Sequence, residues 1–219
     1  MKIRSLLGAG MLSCWCLLCS QVASALPTVF NFASTVTYTD GSMSGVGVGT
    51  TFSGSFSYDP ATSGSNHGAV SYYLLGPATS LSADIGGHSL ITGGLSVGVT
   101  NNFGANVEDV LEIYGDPLDI DGISFSDGYM TLVLYSYPGN IDALASFDLP
   151  SFIDVGAFDG NYGVIARDHG SNGTMLAFTI DSITGGRIPS HNVPEPNTVA
   201  SMLLGLASFG AVLRWQKRK

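Results

Sequence analysis

The chain has 219 residues and a formal net charge of −9, and only 11% of its residues are charged. The window from Leu26 to Val193 holds 16 of the 17 acidic residues and two arginines, Arg167 and Arg187, so its formal charge is −14. Such a surface repels the phosphates of nucleic acids, and nucleic-acid binding is therefore excluded.

The first 25 residues have the three regions of a secretory signal peptide. Lys2 and Arg4 supply positive charge, Leu6 to Leu18 is an apolar run, and the tripeptide Ala23-Ser24-Ala25 is a small-residue cleavage site. We expect this segment to form a helix that directs the chain to the general export machinery. Signal peptidase is then expected to cut after Ala25, so that the mature chain begins at Leu26.

All three cysteines lie in the segment that is expected to be removed, at Cys14, Cys16 and Cys19. The mature chain is therefore expected to contain no disulfide, no cysteine zinc site and no thiol nucleophile. The window that follows is long enough for one domain of ordinary size. Its stability must then come from the burial of a hydrophobic core.

Residues 26–184 have the composition and periodicity of a β-rich exported domain. They lack lysine and are rich in Gly, Ser, Thr, Val, Tyr and Phe, which favours strands and tight turns over long surface helices. Apolar residues alternate with a period of two in five runs: Phe30 to Tyr38, Phe52 to Tyr58, Leu95 to Val99, Met130 to Tyr135, and Leu176 to Ile180. Turn-forming pairs such as Asp40-Gly41 separate these runs. The pattern predicts an all-β fold, a β-sandwich or jelly roll, with one short helical piece around Asn140 to Ala145.

One acidic cluster suggests a metal site. Asp116, Asp119 and Asp121 lie between Gly115 and Gly122, and alternating carboxylates followed by a glycine offer oxygens that suit Ca²⁺. The ligand order of an EF-hand is incomplete, and aspartate and glycine are also the usual residues of solvated turns. A calcium site and a plain turn are both open interpretations at this point. No other cofactor is expected.

The sequence contains no recognised catalytic motif. A G-x-S-x-G elbow, an H-E-x-x-H helix and a P-loop are all missing. His67, His88 and His169 lie beside turn-like residues and His191 lies in a linker, so we interpret all four as structural or solvent-exposed. Ser89 is adjacent to His88, but a catalytic triad is a spatial arrangement that adjacency does not indicate. We therefore predict that the protein is not an enzyme.

The chain ends in a linker, a proline motif and an apolar run. Residues 185–193 are predicted to be a linker, and Pro194, Glu195 and Pro196 are expected to be extended, because the residue before a proline avoids the α region. Residues 198–213 carry no charge, and as a helix they would span about 24 Å. This is somewhat short of the hydrocarbon core of a bilayer, which is about 30 Å thick.

A basic tail, residues 214–219, follows the apolar run. Its members anchor a helix at the membrane interface by snorkelling or by lying among the headgroups: Arg214, Trp215, Lys217, Arg218 and Lys219. The tail should be cytoplasmic because positive charge stays on the cytoplasmic side, so the rest of the mature chain faces away from the cytoplasm. We therefore predict a single transmembrane helix at about residues 198–213.

The motif, the apolar run and the basic tail, in this order, resemble the PEP-CTERM sorting signal of Gram-negative bacteria. The resemblance covers residues 193–219. It implies that an integral-membrane exosortase recognises Pro194, Glu195 and Pro196 and cleaves nearby, while the helix and the tail hold the chain temporarily in the inner membrane. It also implies an association with exopolysaccharide and biofilm.

Two hypotheses of different classes follow. The first is a non-enzymatic surface or extracellular-matrix protein that passes through an inner-membrane intermediate to the cell surface or beyond and interacts with exopolysaccharide. The second is a calcium-dependent or carbohydrate-binding module that carries the same sorting tail, residues 194–219. A sorting signal specifies how a protein is handled and not what its exported domain does, so both hypotheses are open from sequence.

Overall fold

The computed structural model describes residues 27–66, 68, 70–76, 79–103, 108–137, 143–169 and 173–186. Strands account for 61% of these residues, and none of them is in an α-helix. By its internal contacts the chain divides after Gly186. The predicted signal peptide, most of the predicted linker and the whole sorting segment lie outside the described ranges. Within those ranges, no helix has the length and apolarity needed to cross a membrane.

Thirteen strands and one 3₁₀ helix make up the regular structure. The strands are β1 (Thr28–Thr39), β2 (Thr51–Tyr58), β3 (Ser65–Asn66), β4 (Val70–Gly76), β5 (Leu81–Ile85), β6 (His88–Thr92), β7 (Leu95–Phe103), β8 (Glu108–Gly115), β9 (Leu118–Ile120), β10 (Ile123–Phe125), β11 (Tyr129–Tyr135), β12 (Gly160–Ala166) and β13 (Thr174–Gly185). The 3₁₀ helix, Val155–Ala157, is capped by the Asp154 side chain, which accepts a hydrogen bond from the Gly156 N–H.

All thirteen strands belong to one antiparallel sheet, in the order β10-β9-β6-β5-β2-β1-β13-β12-β11-β8-β7-β4-β3. β1 and β13 are the longest strands, with 12 residues each, and they pair at the middle of the sheet. We call the strands from β10 to β2 the first half and those from β12 to β3 the second half. β-Bulges interrupt the pairing of β1 with β13 at Ala33/Ser34 and at Val36/Tyr38.

Short connections show that the two halves face each other. β8 and β9 are eight positions apart in the sheet but are joined by only two residues, Asp116 and Pro117. In a flat sheet these strands would lie about 38 Å apart, at about 4.8 Å per strand. Two connecting residues reach only about 11 Å, so the sheet must curl over itself. In agreement, a Cβ at Gly115 of β8 would overlap the side chain of Thr92 in β6.

The core lies between the two halves. Along β1 and β8 every second residue is buried, as the two-residue period of a strand requires. The largest fully buried side chains come from β1 and from both halves, and they include Phe30, Phe32, Phe56, Tyr58, Leu81, Leu111, Ile113 and Met130. Each such apolar side chain contributes about 1.5–3 kcal/mol of transfer free energy on burial. The curled sheet therefore encloses one continuous hydrophobic cluster.

An irregular segment, residues 143–159, packs against both halves, and we call it the strap. It contributes Leu144, Leu149, Ile153 and Phe158 to the core. The Tyr58 hydroxyl of the first half donates to the Pro150 carbonyl at 2.7 Å. The Tyr73 hydroxyl of the second half donates to the Phe147 carbonyl at 2.6 Å. The strap thus ties together strands that do not pair with each other.

Buried polar side chains fix the start of the strap. The Leu144 N–H donates to Asp109 Oδ2 at 2.9 Å, and Asn101 Nδ2 donates to the Leu144 carbonyl at 2.9 Å. The Asp109 N–H donates to Ser136 Oγ at 2.8 Å. Asp109 is fully buried and Leu144 nearly so. Both polar groups of the Leu144 backbone are therefore satisfied where water is excluded.

The prediction of an all-β domain is confirmed. The five alternating runs lie in β1, β2, β7, β11 and β13. The hydrogen bonding gives a single curled sheet, whereas a sandwich or jelly roll would have its strands in two sheets. The described part of the predicted short helix, residues 143–145, is not helical because Asp109 and Asn101 bind the Leu144 backbone groups.

Replacing Asp109 by alanine should destabilise the mature protein by about 2–3 kcal/mol, because the buried Leu144 N–H loses its hydrogen-bond acceptor. Urea denaturation measures this change in the free energy of unfolding. Asp84→Ala is the matched control, since Asp84 is an exposed aspartate on a strand of the same sheet. Equal unfolding midpoints for the two variants would show that Asp109 does not anchor the strap.

Candidate functional site

The outer face of the second half carries a group of tyrosines, which we call the tyrosine face. Its members come from four strands and from the residues just after β11: Tyr72, Tyr114, Tyr129, Tyr135, Tyr137 and Tyr162. Their strand neighbours Tyr73, Ile113 and Met130 are buried in the core. Because successive side chains of a strand point to opposite faces, the alternation that fills the core also places these tyrosines outside.

One cross-strand row runs across this face. Tyr72 lies opposite Gly98, Gly98 opposite Glu112, Glu112 opposite Val133, and Val133 opposite Tyr162. Four strand spacings of about 4.8 Å place Tyr72 and Tyr162 about 19 Å apart. The row therefore has an exposed tyrosine at each end and a carboxylate at its centre.

Glycines let two of the tyrosine rings lie against the sheet. A Cβ at Gly98 would be 3.7 Å from the ring of Tyr72, and a Cβ at Gly160 would overlap the ring of Tyr135. Each ring therefore covers the backbone of a neighbouring strand instead of standing away from it. The side chains at the two ends of the row keep large exposed fractions, 48% for Tyr72 and 46% for Tyr162.

The rings of the tyrosine face also contact one another. Tyr135 packs edge-on against Tyr137, with centroids 5.6 Å apart, and lies 6.3 Å from Tyr162. Tyr129 stacks on Tyr114 at 5.4 Å and on His169 at 4.9 Å, and the Tyr114 hydroxyl lies 3.4 Å from His169 Nε2. Such pairs add about 0.5–1.5 kcal/mol each beyond the area that they bury. These contacts therefore hold the rings in place.

Acidic groups surround these neutral rings. Desolvation by its neighbours raises the pKa of the Glu112 carboxyl, although the side chain is exposed at the surface. Desolvation, and next the charge of Asp116, raises the pKa of Tyr114 to about 12. A hydrogen bond with Tyr137 raises the pKa of Tyr135. The hydroxyls of Tyr114 and Tyr135 thus stay neutral donors at physiological pH.

Positive charge is scarce around the tyrosine face. Of the 17 acidic residues, all but Asp142 and Glu195 lie in the described ranges. Those ranges contain a single arginine or lysine, Arg167, which pairs with Asp40 at 2.9 Å. The field over this surface is therefore negative, and it favours cations over anions.

The three aspartates of the predicted calcium site have different surroundings. Asp116 lies in the link between β8 and β9, and Asp119 Oδ1 accepts the Gly122 N–H at 2.7 Å. Asp121 accepts the Ser89 N–H at 2.8 Å. In the part of the chain that the structure describes, no three His, Cys, Asp or Glu side chains are grouped to hold a metal ion. Asp119 thus serves the β9–β10 turn, and calcium binding by the three stays a prediction.

His88 links three segments of the first half. Its Nδ1 lies 2.6 Å from Asp121 Oδ2, and its Nε2 lies 3.0 Å from the Ser44 carbonyl oxygen. Both partners are acceptors, so the doubly protonated ring satisfies both contacts. The hydrogen bond with Asp121 raises the pKa of His88 and lowers that of Asp121. Ser89 contacts Asp121 through its backbone N–H, so Asp121 binds two neighbouring residues of β6.

The remaining predicted residues are distributed as follows. His169 lies at the tyrosine face. His67 and His191 lie outside the described ranges. So do the predicted processing residues, which are Ala23, Ala25, Pro194, Glu195, Pro196 and the basic tail from Arg214 to Lys219. Sequence reasoning did not find the tyrosine face. The available signal was the outward-facing tyrosines beside buried strand positions, such as Tyr72 before Tyr73.

Comparison with known proteins identifies the C-terminal segment. Residues 192–219 match the family model of the PEP-CTERM protein-sorting motif. The match contains all three residues of the predicted recognition motif and the whole basic tail. No curated protein and no solved structure matches the chain.

Stability should depend on pH through His88. Because its pKa is raised on folding, the stabilisation is complete below its unfolded pKa of about 6.5 and is lost as pH rises through the folded pKa. The lowered pKa of Asp121 acts in the opposite sense, so its contribution is present above about pH 4 and is lost on acidification. We expect the melting temperature of the wild type to fall between about pH 6 and pH 8.

His88→Gln should remove this fall in melting temperature, whereas His169→Gln should keep it. The second variant is the matched control because the ring of His169 stacks on Tyr129 and not on a carboxylate. Thermal unfolding followed by circular dichroism at each pH provides the measurement. A pH dependence that survives in His88→Gln would show that another group titrates.

Proposed function

We propose that this chain, which carries the PEP-CTERM sorting motif of exosortase substrates at residues 192–219, is a non-enzymatic surface or extracellular-matrix protein. The motif implies that the protein is exported, held transiently in the membrane and sorted through an exosortase. That match is the observation on which the proposal rests. The final location is the cell surface or the medium outside it.

The proposed route has three steps. Signal peptidase removes residues 1–25 during export. The apolar run, residues 198–213, then stops in the inner membrane with residues 214–219 on the cytoplasmic side. An exosortase finally cuts near Pro194, Glu195 and Pro196, which frees the folded domain from its temporary anchor.

A non-enzymatic role is supported by the sequence and by the surroundings of His88. The sequence contains no recognised catalytic motif. Both ring nitrogens of His88 face acceptors that belong to neighbouring loops, Asp121 and Ser44. A histidine used in this way stabilises the fold and has no free nitrogen for a substrate.

A matrix role is supported by the charge of the domain. With Arg167 as its single arginine or lysine, the described part of the chain stays soluble at the densities of an extracellular matrix and repels anionic lipid. We propose exopolysaccharide as the component that the domain contacts. The stability of the domain comes from its apolar core, which includes Phe30, Phe56 and Leu111.

The tyrosine face favours a second candidate function, a carbohydrate-binding module with the same sorting tail. Exposed aromatic rings that are already packed in place are suited to packing against the C–H faces of sugar rings. A calcium-dependent version of this module requires Asp116, Asp119 and Asp121. Calorimetric titration with Ca²⁺ distinguishes this version from one that needs no calcium. A heat of Ca²⁺ binding that is present in the wild type and lost in Asp119→Asn would support the calcium-dependent version.

Loss of the proline motif should block processing. In a host with the cognate exosortase, the double variant Pro194→Ala/Pro196→Ala should accumulate as a membrane-bound form of higher mass, because alanine no longer imposes the extended conformation. Immunoblotting of membrane and medium fractions measures the ratio of the two forms. We expect at least about a tenfold fall in the processed fraction, which corresponds to about 1.4 kcal/mol of lost recognition.

Pro189→Ala is the matched control, since it removes a proline from the predicted linker a few residues upstream. It should be processed like the wild type. Normal processing of the double variant would contradict the assigned role of the motif. Defective processing of the wild type, the double variant and Pro189→Ala together would show that the host lacks exosortase activity. The experiment is then repeated in a host whose exosortase is known to process another substrate.

A further inference from the structure

We infer that the tyrosine face binds an extended polysaccharide that carries amino groups. This inference rests on the proposed extracellular role, and it assigns a ligand class to the surface of that domain. The cross-strand row from Tyr72 through Glu112 to Tyr162 forms its centre. Tyr135 and Tyr137 extend it at the Tyr162 end.

The shape of the face fits a long, thin ligand. Tyr72 lies over Gly98 and Tyr135 lies over Gly160, so these rings follow the sheet surface. The ends of the row are about 19 Å apart, which is several times the length of one sugar ring. A chain that crosses the strands can therefore contact both ends at once.

The residues between the two ends of the row project little from the sheet. Gly98 has no side chain, and Val133 is almost fully covered although it lies on the outer face. A ligand therefore meets a shallow surface with aromatic edges and one carboxylate. The C–H face of a sugar ring packs against such rings by the same dispersion and π contacts that join aromatic pairs.

Charge selects the kind of polysaccharide. Glu112 lies at the centre of the row, and Asp159 Oδ2 accepts the Tyr137 N–H at 2.8 Å at its edge. A sugar ammonium placed over Tyr72 or Tyr162 gains a cation–π interaction as well as attraction to Glu112. It also restores to Glu112 the charge stabilisation that desolvation removes. A polyanionic glycan meets repulsion at the same positions.

The test uses the full chain in detergent micelles and three oligosaccharides of matched length. These are a chitosan oligomer, its fully N-acetylated counterpart and a polyuronate. Isothermal titration calorimetry is carried out at a mildly acidic pH at which the sugar amines are protonated. We expect the chitosan oligomer to bind, the N-acetylated oligomer to bind more weakly and the polyuronate not to bind.

Five variants, one of them a control, locate the binding surface. Tyr72→Ala, Tyr162→Ala and Glu112→Gln should each weaken chitosan binding by about threefold to thirtyfold, the range that corresponds to about 0.7–2 kcal/mol. Tyr38→Ala is the matched control, because Tyr38 is 50% exposed but lies on β1, two strands beyond β12, where the row ends. Tyr72→Phe keeps the ring and should retain binding. Each variant is compared with the wild type in its thermal transition, so that a folding defect is separated from a binding defect.

Three results would overturn the inference. They are the absence of chitosan binding by the wild type, equal binding of the acetylated and deacetylated oligomers, and equal losses in Tyr38→Ala and Tyr72→Ala. If the proline motif is processed normally and any of these results is found, the ligand assignment is wrong but the proposed sorting route stands. Failed processing with normal chitosan binding would remove the sorting route and leave the tyrosine face in place.

Discussion

Burial of one apolar face of a single antiparallel sheet is the constraint on which the rest of the structure depends. Every long strand presents core residues such as Phe30 or Ile113 on one side, and a flat sheet would leave that side in water. The sheet therefore curls about its longest pair, β1 and β13. Links as short as Asp116-Pro117 are possible only after it has done so. The strap then ties the halves together through Tyr58 and Tyr73.

The same constraint determines the outer surface. Once the inward positions are used for the core, the alternate positions of β4, β8, β11 and β12 must lie on the outer face of the sheet, and tyrosines occupy several of them. The described residues contain no cysteine, so this outer face is shaped by packing and hydrogen bonding without disulfides. The structure and the proposed binding thus both follow from the alternation of side chains along the strands. The inward-facing side chains stabilise the domain, and the outward-facing ones form the surface of tyrosine rings and carboxylates.

Local signals were enough to predict part of this structure. The two-residue period gave the strands around Phe30, Phe52 and Leu176 because alternation is a property of neighbouring residues. The row from Tyr72 to Tyr162 depends on the pairing of strands that are far apart in sequence, and no local pattern contains that register. The use of Asp119 in a turn also needed coordinates, since a turn and a metal loop contain the same residues. The sorting signal was recognisable from sequence because it is read as a linear segment.

The central claim is that the domain reaches its destination through temporary anchorage and cleavage at its C-terminal motif. The intact mass of the protein recovered from outside the cells of its native host tests this claim most directly. We predict a polypeptide that begins at Leu26 and ends near Pro194, Glu195 and Pro196, without residues 198–219. A recovered mass that still includes the apolar run and the basic tail would contradict the account.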